Sequence, residues 1–320
     1  MKAKVSIIIP VYKAEKTLPR CVDSILSNCY ESAEIILIED QSPDQSWHIC
    51  EQYSNQYGNI IAIRNEVNHG VSYTRNQGLK AAKGKYLLFV DSDDWVEKDY
   101  ISQLVEAAEN CETELVISGY VNHDEVHNGR TDRFDWGDVS LYTEDMHFNS
   151  HLKEIYEKRM LQQLWNKIFV HEIVERENIF FDETINVGED FRFILNYIKA
   201  MGDSRAVYLN KPLYHYIRDN ADSLMSKVGY ERIEESLLNM EALYRIMGME
   251  EAQIQEKMLQ ESKEQIQVYA YIIMHSKNIN NKEKKRLIYN LTKENPEKLY
   301  LEQKKLYYKE RIARWIHKKR

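Results

Sequence analysis

The chain of 320 residues is 43% hydrophobic and 29% charged, and its formal net charge is −8. This length allows one large domain or a domain with an accessory part, and the acidic balance argues against nucleic acid as a general partner. No segment reaches the roughly 20 apolar residues that span a bilayer. The four cysteines form no CxxC pair, so we expect a cytoplasmic protein with reduced thiols.

The first 120 residues alternate between strand and helix patterns. Apolar residues recur at helical spacing in segments 17–27, 46–57, 72–84 and 97–110, and we expect the third helix to end at Gly84. Continuous apolar runs, typical of strands buried on both faces, occur in VSIIIPVY, EIILIED, IIAIR, YLLFV and ELVISGY. The first run lacks a cleavage site, so we interpret it as a strand and not as a signal peptide. This alternation predicts an α/β fold with a doubly wound sheet, in which ligands bind beyond the carboxyl ends of the strands.

The pattern changes twice after this alternating region. Residues 121–150 form a polar excursion in which HNGR predicts a hairpin turn, and residues 150–225 mix short helices and strands. From about residue 226 the chain is rich in Glu, Lys, Leu and Tyr at helical spacing. We therefore predict two parts, residues 1–225 and an α-helical C-terminal region of residues 226–320.

Three carboxylates follow the apolar run YLLFV directly, namely Asp91, Asp93 and Asp94. Like charges this close raise one another's pKa, and a hard divalent cation such as Mg²⁺ or Mn²⁺ relieves the repulsion. No GxGxxG follows the first strand and no GxxxxGK[ST] occurs, so a bound nucleotide would be held by a cation and side chains in place of a glycine loop. The other interpretation is an acidic turn before a helix N-terminus, where Asp94 caps the following helix.

Three blocks in this order resemble family 2 inverting glycosyltransferases of the GT-A fold: VSIIIPVYKAEKTLPRCVDSIL, EIILIEDQSPD and NHGVSYTRNQGLKAAKGKYLLFVDSDDW. The later segments GED and LYHYIRDNADS extend the resemblance, which covers about residues 4–225. It implies a Rossmann-like mixed sheet flanked by helices, a nucleotide-sugar donor (a UDP-sugar in the first place) and a divalent cation, Mn²⁺ or Mg²⁺. It also implies a hydroxyl acceptor on a glycan or a lipid-linked saccharide. Residues 1–225 would then bind the donor and catalyse transfer.

The resemblance also implies roles for individual residues. Asp40 would accept from the uracil imide, Arg75 would bind phosphate, and the D-x-D of Asp91, Ser92 and Asp93 would hold the nucleotide and the cation, with Asp93 most directly on the metal. The rest of the nucleotide site would comprise Pro10, Val11 and Tyr12 around the base, Asn68, and Arg218 with Ser223 at the diphosphate. His215 would be a third metal ligand.

Two further expectations concern the same family pattern. Trp165, Asn166 and Lys167 would lie near the donor sugar or the acceptor, although a buried core tryptophan is the other interpretation. Family members usually have Asp-Asp-Gly-Ser where this chain has Glu39-Asp40-Gln41-Ser42. The missing glycine predicts an altered loop at the base pocket.

Asp190 is the candidate general base, from the resemblance and from chemistry. Inverting transfer is a single displacement, so the acceptor hydroxyl must lose a proton to one carboxylate as it attacks. The pattern GEDFRFILNYI places Glu189 and Asp190 at a helix N-terminus, where the helix dipole favours an ionised carboxylate. The other interpretation is that both are ordinary first-turn acids.

The last 20 residues carry eight Lys or Arg against two Glu. Tyr308, Ile312 and Trp315 share one helical face, which is typical of a basic amphipathic helix on an anionic membrane surface. A solvated helix, or one that docks on the acidic body, is the other interpretation. The C-terminal region would thus serve acceptor, membrane or homo-oligomer contacts, and the protein would be peripheral on the inner face of the membrane.

Two other functions fit parts of the pattern. A nucleotidyltransferase of sugar phosphates shares the sheet and the acids, but it would need a phosphate loop after the first strand, which PVYKAEKTL does not supply. A non-catalytic saccharide-binding relative would retain the fold, and the presence of both Asp93 and Asp190 argues against it.

Overall fold

The computed structural model describes residues 4–28, 30–124, 129–135, 148–185, 187–202, 206–218, 230–275 and 280–290. Internal contacts divide the chain into two compact units, Met1–Ala221 and Asp222–Arg320. The functions assigned above to residues 1–225 and 226–320 stay predictions.

The described part of the first unit contains one sheet of nine strands. Their order across the sheet is β3-β2-β1-β4-β8-β6-β9-β5, and β7 pairs with β6. In chain order the strands are β1 (Val5–Val11), β2 (Ala33–Glu39), β3 (Ile60–Arg64), β4 (Tyr86–Phe89), β5 (Trp95–Val96), β6 (Leu115–Asp124), β7 (Arg130–Phe134), β8 (Lys167–Val170) and β9 (Ala206–Arg218).

Helices connect these strands where the apolar spacing predicts them. The helices of this unit are α1 (Leu18–Leu26), α2 (Ser46–Gln56), α3 (Val71–Ala81), α4 (Tyr100–Asn110), α5 (Phe148–Glu157), α6 (His171–Arg176) and α7 (Glu189–Met201). The first, α1, buries Leu18, Cys21, Val22 and Ile25 of its predicted apolar stripe, while Leu26 of that stripe is half-buried.

The sheet is mixed, as the family resemblance implies. Strands β3, β2, β1 and β4 are parallel neighbours, so their carboxyl ends meet at one edge. Beyond them, β8 lies antiparallel between β4 and β6. The predicted hairpin is confirmed by the antiparallel pair β6 and β7, while its turn residues 125–128 lie outside the described part.

An aromatic cluster fixes the end of β4. The ring of Phe89 makes edge contacts with Phe169, Phe181 and Phe193 at centroid distances of 6.0, 5.5 and 5.7 Å. Edge-to-face pairs of this kind add to the burial of the rings themselves. The strand end that precedes the carboxylates is therefore held by three separate segments of the core.

Gly84 has a different role from the one the sequence predicts. Helix α3 ends at Ala81, with Ala82 as its C-terminal cap, so Gly84 does not end it. A Cβ at Gly84 would lie 2.6 Å from the backbone nitrogen of Ser6, whereas one at Gly58 would meet nothing within 4 Å. Gly84 is thus required by the close approach of the chain to β1.

This difference predicts unequal effects of two glycine substitutions. Gly84→Ala should lower the free energy of unfolding by about 1–3 kcal/mol, because the backbone atoms it would meet cannot move without disturbing β1. Gly58→Ala, the matched control, should change it by less than about 0.5 kcal/mol. Denaturant unfolding of both variants measures the two effects, and an equal loss in both would contradict this interpretation of Gly84.

The described part of the second unit is helical, as predicted. It contains α8 (Tyr230–Ile246), α9 (Glu251–His275) and α10 (Asn281–Asn290), whose buried residues Ile233, Ala270, Ile273, Met274 and Ile288 pack together. None of the helices in the described ranges has the length and apolarity needed to cross a membrane. Residues 301–320 lie outside those ranges, so the amphipathic tail helix stays a prediction.

Candidate active site

The carboxylate loop, residues 91–94, follows β4 at the edge where the parallel strands end. Asp91, Ser92 and Asp93 are half-buried, whereas Asp94 is completely buried. Helix α1 contacts the loop backbone, since Arg20 Nη2 donates to the carbonyl of Asp93 at 2.6 Å and the Cys21 thiol approaches the carbonyl of Asp91 at 3.5 Å. The loop backbone is therefore anchored while two of its carboxylates remain accessible.

Asp94 is oriented into the protein and does not cap the next helix. Its carboxylate accepts from the hydroxyl of Tyr214 at 2.6 Å and from the backbone N–H of Ile217 at 2.7 Å, both on β9. The N-terminal cap position of α4 belongs to Asp99. Burial, followed by the charges of Asp93 and Asp91, raises the pKa of Asp94 well above its ordinary value.

Arg75 of α3 joins the carboxylate loop to the start of α7. Its Nη2 donates to Asp91 Oδ1 at 3.0 Å, and its Nη1 donates to Glu189 Oε1 at 3.1 Å and to Asp190 Oδ1. The guanidinium is almost fully buried, with 4% of the side chain exposed. The guanidinium of Arg75 thus brings together three acids from two distant parts of the chain. Arg75, Asp91, Glu189 and Asp190 are called here the acid cluster.

The acid cluster contains more negative than positive charge. Burial raises the pKa of Asp190 well above its ordinary value; Arg75 opposes this shift, while Glu189 and Asp91 reinforce it. The loss of water and two nearby carboxylates thus act against the ionised form that the N-terminus of α7 favours, and the role of Asp190 as the base stays a prediction. A carboxylate with a raised pKa is a stronger base than an exposed one.

The predicted base pocket lies at the ends of β1 and β2. Val11 is buried, Pro10 is half-buried, and Tyr12 is 46% exposed. The carboxylate of Asp40 is buried and accepts from Asn65 Nδ2 at 2.8 Å and from the backbone N–H groups of His69 and Gly70 at 3.0 and 2.8 Å. In the structure Asp40 thus holds the loop before α3, and its contact with a uracil stays a prediction.

The loop after β2 keeps a left-handed turn without a glycine. Gln41 has a φ of 53° at the position where the family has glycine. Its neighbour Ser42 is held by the buried Glu39, whose Oε1 accepts from the Ser42 N–H, and Ser42 Oγ accepts from the N–H of Lys13 at 3.1 Å. Gln41 thus adopts a backbone conformation that glycine favours, and an altered base pocket stays a prediction.

Asn68 lies at the same edge of the sheet. Its side chain is exposed, and Nδ2 donates to the carbonyl of Asp40 at 2.9 Å. It therefore stands beside the predicted base pocket, and its contact with the nucleotide stays a prediction.

His215 on β9 is already engaged through both ring nitrogens. Nδ1 lies 2.9 Å from His123 Nε2, and Nε2 lies 2.9 Å from Glu97 Oε1. The ring stacks on Trp95 at a centroid distance of 3.4 Å, and burial lowers its pKa. A neutral imidazole is the form that binds metals, but metal binding would require one of these two contacts to open, and the role stays a prediction.

Of the remaining residues predicted to contact the donor or the acceptor, Arg218 is exposed, whereas Trp165, Asn166 and Lys167 are buried. Arg218 is 53% exposed, with Nη1 3.9 Å from Asp124, at the end of β9; Ser223 lies outside the described residues. Trp165 is buried and stacks on Tyr214 at 4.3 Å, which supports the core interpretation. Lys167 is fully buried, where Nζ donates to the carbonyls of Met160 and Gln163 at 2.7 and 2.5 Å.

Asn166 belongs to the same buried segment. It is fully buried, and its Nδ2 donates to the carbonyl of Ser118 at 3.0 Å. Asn166 and Lys167 thus support the loop before β8 through backbone carbonyls.

The donor set of the carboxylate loop suits a divalent cation. Asp91 and Asp93 offer half-buried carboxylate oxygens, the ligands that Mg²⁺ and Mn²⁺ prefer, and such ions take one or two protein carboxylates with substrate phosphates and water. Within the described ranges no group of three or more His, Cys, Asp or Glu side chains is arranged to hold a metal. The loop therefore fits a cation that is shared with a phosphorylated ligand better than one enclosed by protein.

The sequence pattern of Glycosyl transferase family 2 matches residues 6–172. An uncharacterized glycosyltransferase of Bacillus subtilis, EpsJ, is 34% identical over 224 residues, which cover 69% of this chain and 62% of that protein. Residues 6–172 contain β2 to β8, all but the first residue of β1, the carboxylate loop and Arg75. This chain therefore belongs to glycosyl transferase family 2, a family of sugar-transferring enzymes.

Solved structures share the fold. S. aureus TarS in complex with UDP-GlcNAc is similar with a TM-score of 0.59 at 21% identity, covering 89% of this chain and 70% of that one. A mannosyltransferase of Pyrobaculum calidifontis in complex with GDP-Man and Mn²⁺ is similar with a TM-score of 0.56 at 12% identity, covering 85% and 72%. The predicted GT-A type of mixed sheet flanked by helices is thereby confirmed.

Two members of the site have no functional role in the sequence predictions. The sequence places Glu189 beside Asp190 at a helix N-terminus, and in the structure both contact Arg75. Tyr214 gave no signal beside the candidate His215, because its partner Asp94 lies 120 positions away in the chain.

Proposed function

We propose that this protein transfers a sugar from a nucleotide-sugar donor to a hydroxyl of a glycan or lipid-linked saccharide, with inversion at the anomeric carbon. The observation that carries the proposal is the acid cluster, in which one guanidinium contacts both Asp190 and Asp91. A candidate base thus lies beside a carboxylate that would hold the donor diphosphate through a divalent cation. A single displacement needs both of these groups and no protein nucleophile.

Asp190 is the residue that would take the proton. It lies in the first turn of α7, its side chain is 26% exposed, and its Oδ1 accepts from Arg75 Nη1. Its raised pKa increases its basicity toward an attacking hydroxyl. Arg75 would keep the carboxylate oriented, and its charge favours the ionised form when the acceptor arrives.

Asp91 and Asp93 are the residues that would hold the donor diphosphate through a divalent cation. When bound, such a cation supplies positive charge that stabilises the leaving diphosphate. A UDP-sugar is the first donor to test, since a protein of the same fold binds UDP-GlcNAc. Tyr12 and Asn68 are exposed at the neighbouring strand ends, where a nucleobase would lie.

A donor screen tests this proposal. UDP-, GDP- and dTDP-sugars are added with Mn²⁺, and the melting temperature and the release of sugar are measured. At a hundredfold excess over the dissociation constant, the true donor should stabilise the protein by about 2.7 kcal/mol. The increase should vanish with EDTA and in Asp93→Asn. Stabilisation by none of the nucleotide sugars, or stabilisation that persists with EDTA and in Asp93→Asn, would contradict the proposal.

A further inference from the structure

Asp94 and Tyr214 connect the carboxylate loop to β9. We propose that they are positioning residues, which set the distance between the carboxylate loop, with Asp91 and Asp93, and the β9 residues His215 and Arg218. This distance determines how tightly the site binds a nucleoside diphosphate with its cation. The inference rests on the proposed function, because it concerns the geometry of the same donor site.

The contacts form a continuous buried chain of hydrogen bonds. The hydroxyl of Tyr214 donates to Asp94 Oδ2 at 2.6 Å and accepts from the backbone N–H of Asp91 at 3.1 Å. Asp94 in turn accepts from the N–H of Ile217 at 2.7 Å and donates its own N–H to the carbonyl of Asp91 at 3.1 Å. Both Asp94 and Tyr214 are 0% exposed, so water does not compete for these bonds.

Each anchor point is adjacent to a predicted donor-site residue. In the carboxylate loop these hydrogen bonds involve Asp91 and Asp94, which stand on either side of Asp93 in the sequence. On β9 the hydrogen bonds involve Tyr214 and Ile217, which are followed directly by His215 and Arg218. A shift of Asp94 or of Tyr214 would therefore move the side chains of the carboxylate loop relative to those of β9.

Strand pairing alone does not require a buried carboxylate here. Strands β5 and β9 already pair through Trp95 with His215 and Val96 with Tyr214. Burying an acid is costly unless its oxygens are hydrogen-bonded, and apolar side chains could join two strands at lower cost. The sequence of half-buried Asp93 and fully buried Asp94 indicates that Asp94 sets the position of Asp93.

Tyr214→Phe tests this inference, with Tyr197→Phe as a matched control. Tyr197 is also 0% exposed, and its hydroxyl also donates to an oxygen, the carbonyl of Glu114 at 2.7 Å, and accepts from a backbone N–H, that of Val170 at 2.9 Å. Val170 pairs with Tyr86 at the start of β4, the end opposite to the carboxylate loop. The two substitutions thus remove the same kind of hydroxyl inside and outside the donor site.

Calorimetric binding of UDP with Mn²⁺ and the melting temperature are measured for wild type and both variants. Both should melt at similarly reduced temperatures, but only Tyr214→Phe should bind UDP roughly five- to hundredfold more weakly. Asp94→Asn, which keeps the side-chain volume, should weaken binding in the same direction and covers the case in which Tyr214→Phe fails to fold.

The outcomes distinguish the positioning role of Tyr214 and Asp94 from the proposed function. Equal binding by wild type, Tyr214→Phe and Asp94→Asn, or equal weakening in Tyr214→Phe and Tyr197→Phe, would overturn the positioning role while leaving the proposed function intact. Wild-type protein that binds no nucleotide of the UDP, GDP and dTDP set would overturn the proposed function and this inference with it.

Discussion

Asp190→Asn is expected to lower kcat by about 10²- to 10⁴-fold, the usual contribution of a general base. The amide keeps the shape of the side chain but cannot take the proton of an attacking hydroxyl. The affinity for UDP should stay nearly unchanged, because the residues proposed to hold the nucleotide lie at β1, β2 and the carboxylate loop. Steady-state kinetics with the donor found in the screen, together with calorimetry, measures the two quantities.

Glu189→Gln is the matched control for this prediction. It removes the same charge from the same guanidinium, since Glu189 Oε1 also accepts from Arg75 Nη1. We expect a much smaller loss of kcat. If Glu189→Gln lost more activity than Asp190→Asn, the assignment of the base would be wrong.

The pH dependence of kcat/KM provides a second test of the base. A base works only when deprotonated, and burial raises the pKa of Asp190. Activity should therefore decline as the pH falls through a value above the ordinary carboxyl range, and it should be retained above that value. A decline only within the ordinary carboxyl range would contradict a raised pKa at the base.

Arg75→Met is expected to lower the free energy of unfolding by about 3–5 kcal/mol at neutral pH. The substitution leaves Asp91, Glu189 and Asp190 beside one another without the cation that all three contact. Arg176→Met is the control, because Arg176 makes an ion pair of 2.9 Å with Glu177 but is 55% exposed. Pairs in solvent contribute about 0–1 kcal/mol, so its loss should be small.

The deficit of Arg75→Met should shrink as the pH falls. Arg75 opposes the rise in the pKa of Asp190, so without it the folded state raises that pKa further and binds a proton more readily than the unfolded chain. Protonation of Asp190 then relieves the repulsion, and stability recovers below this raised pKa. Urea unfolding at several pH values measures this dependence. A loss that is constant with pH, or no larger than that of Arg176→Met, would show that the guanidinium does not neutralise the cluster.

The parallel half of the sheet is predictable from local pattern alone. The run EIILIED is buried over its whole length and VSIIIPVY is buried from Val5 to Ile9. The spacing of Leu18, Cys21 and Val22 predicts α1 directly. The insertion of β8 between β4 and β6 is different. It depends on pairing of residues about 80 positions apart, for which a single sequence contains no periodic signal.

The site follows the same division. The position of Asp91 and Asp93 at a strand end follows from the apolar run before them and the edge rule for α/β sheets. The attachment of Arg75 to Glu189 and Asp190 joins residues 114 and 115 positions apart. Arginine suits a phosphate and a carboxylate equally well, so its partner could not be inferred from residue type.

The configuration of the released sugar tests the central claim most directly. Proton NMR of the wild-type enzyme with an α-linked UDP-sugar and Mn²⁺ records the anomeric configuration of the first product formed. The sugar is transferred either to the acceptor or, where no acceptor is added, to water. Attack assisted by Asp190 on the face opposite the diphosphate predicts the β-anomer, followed by slow equilibration where the product is free sugar. Initial appearance of the α-anomer would contradict a single displacement with Asp190 as the base.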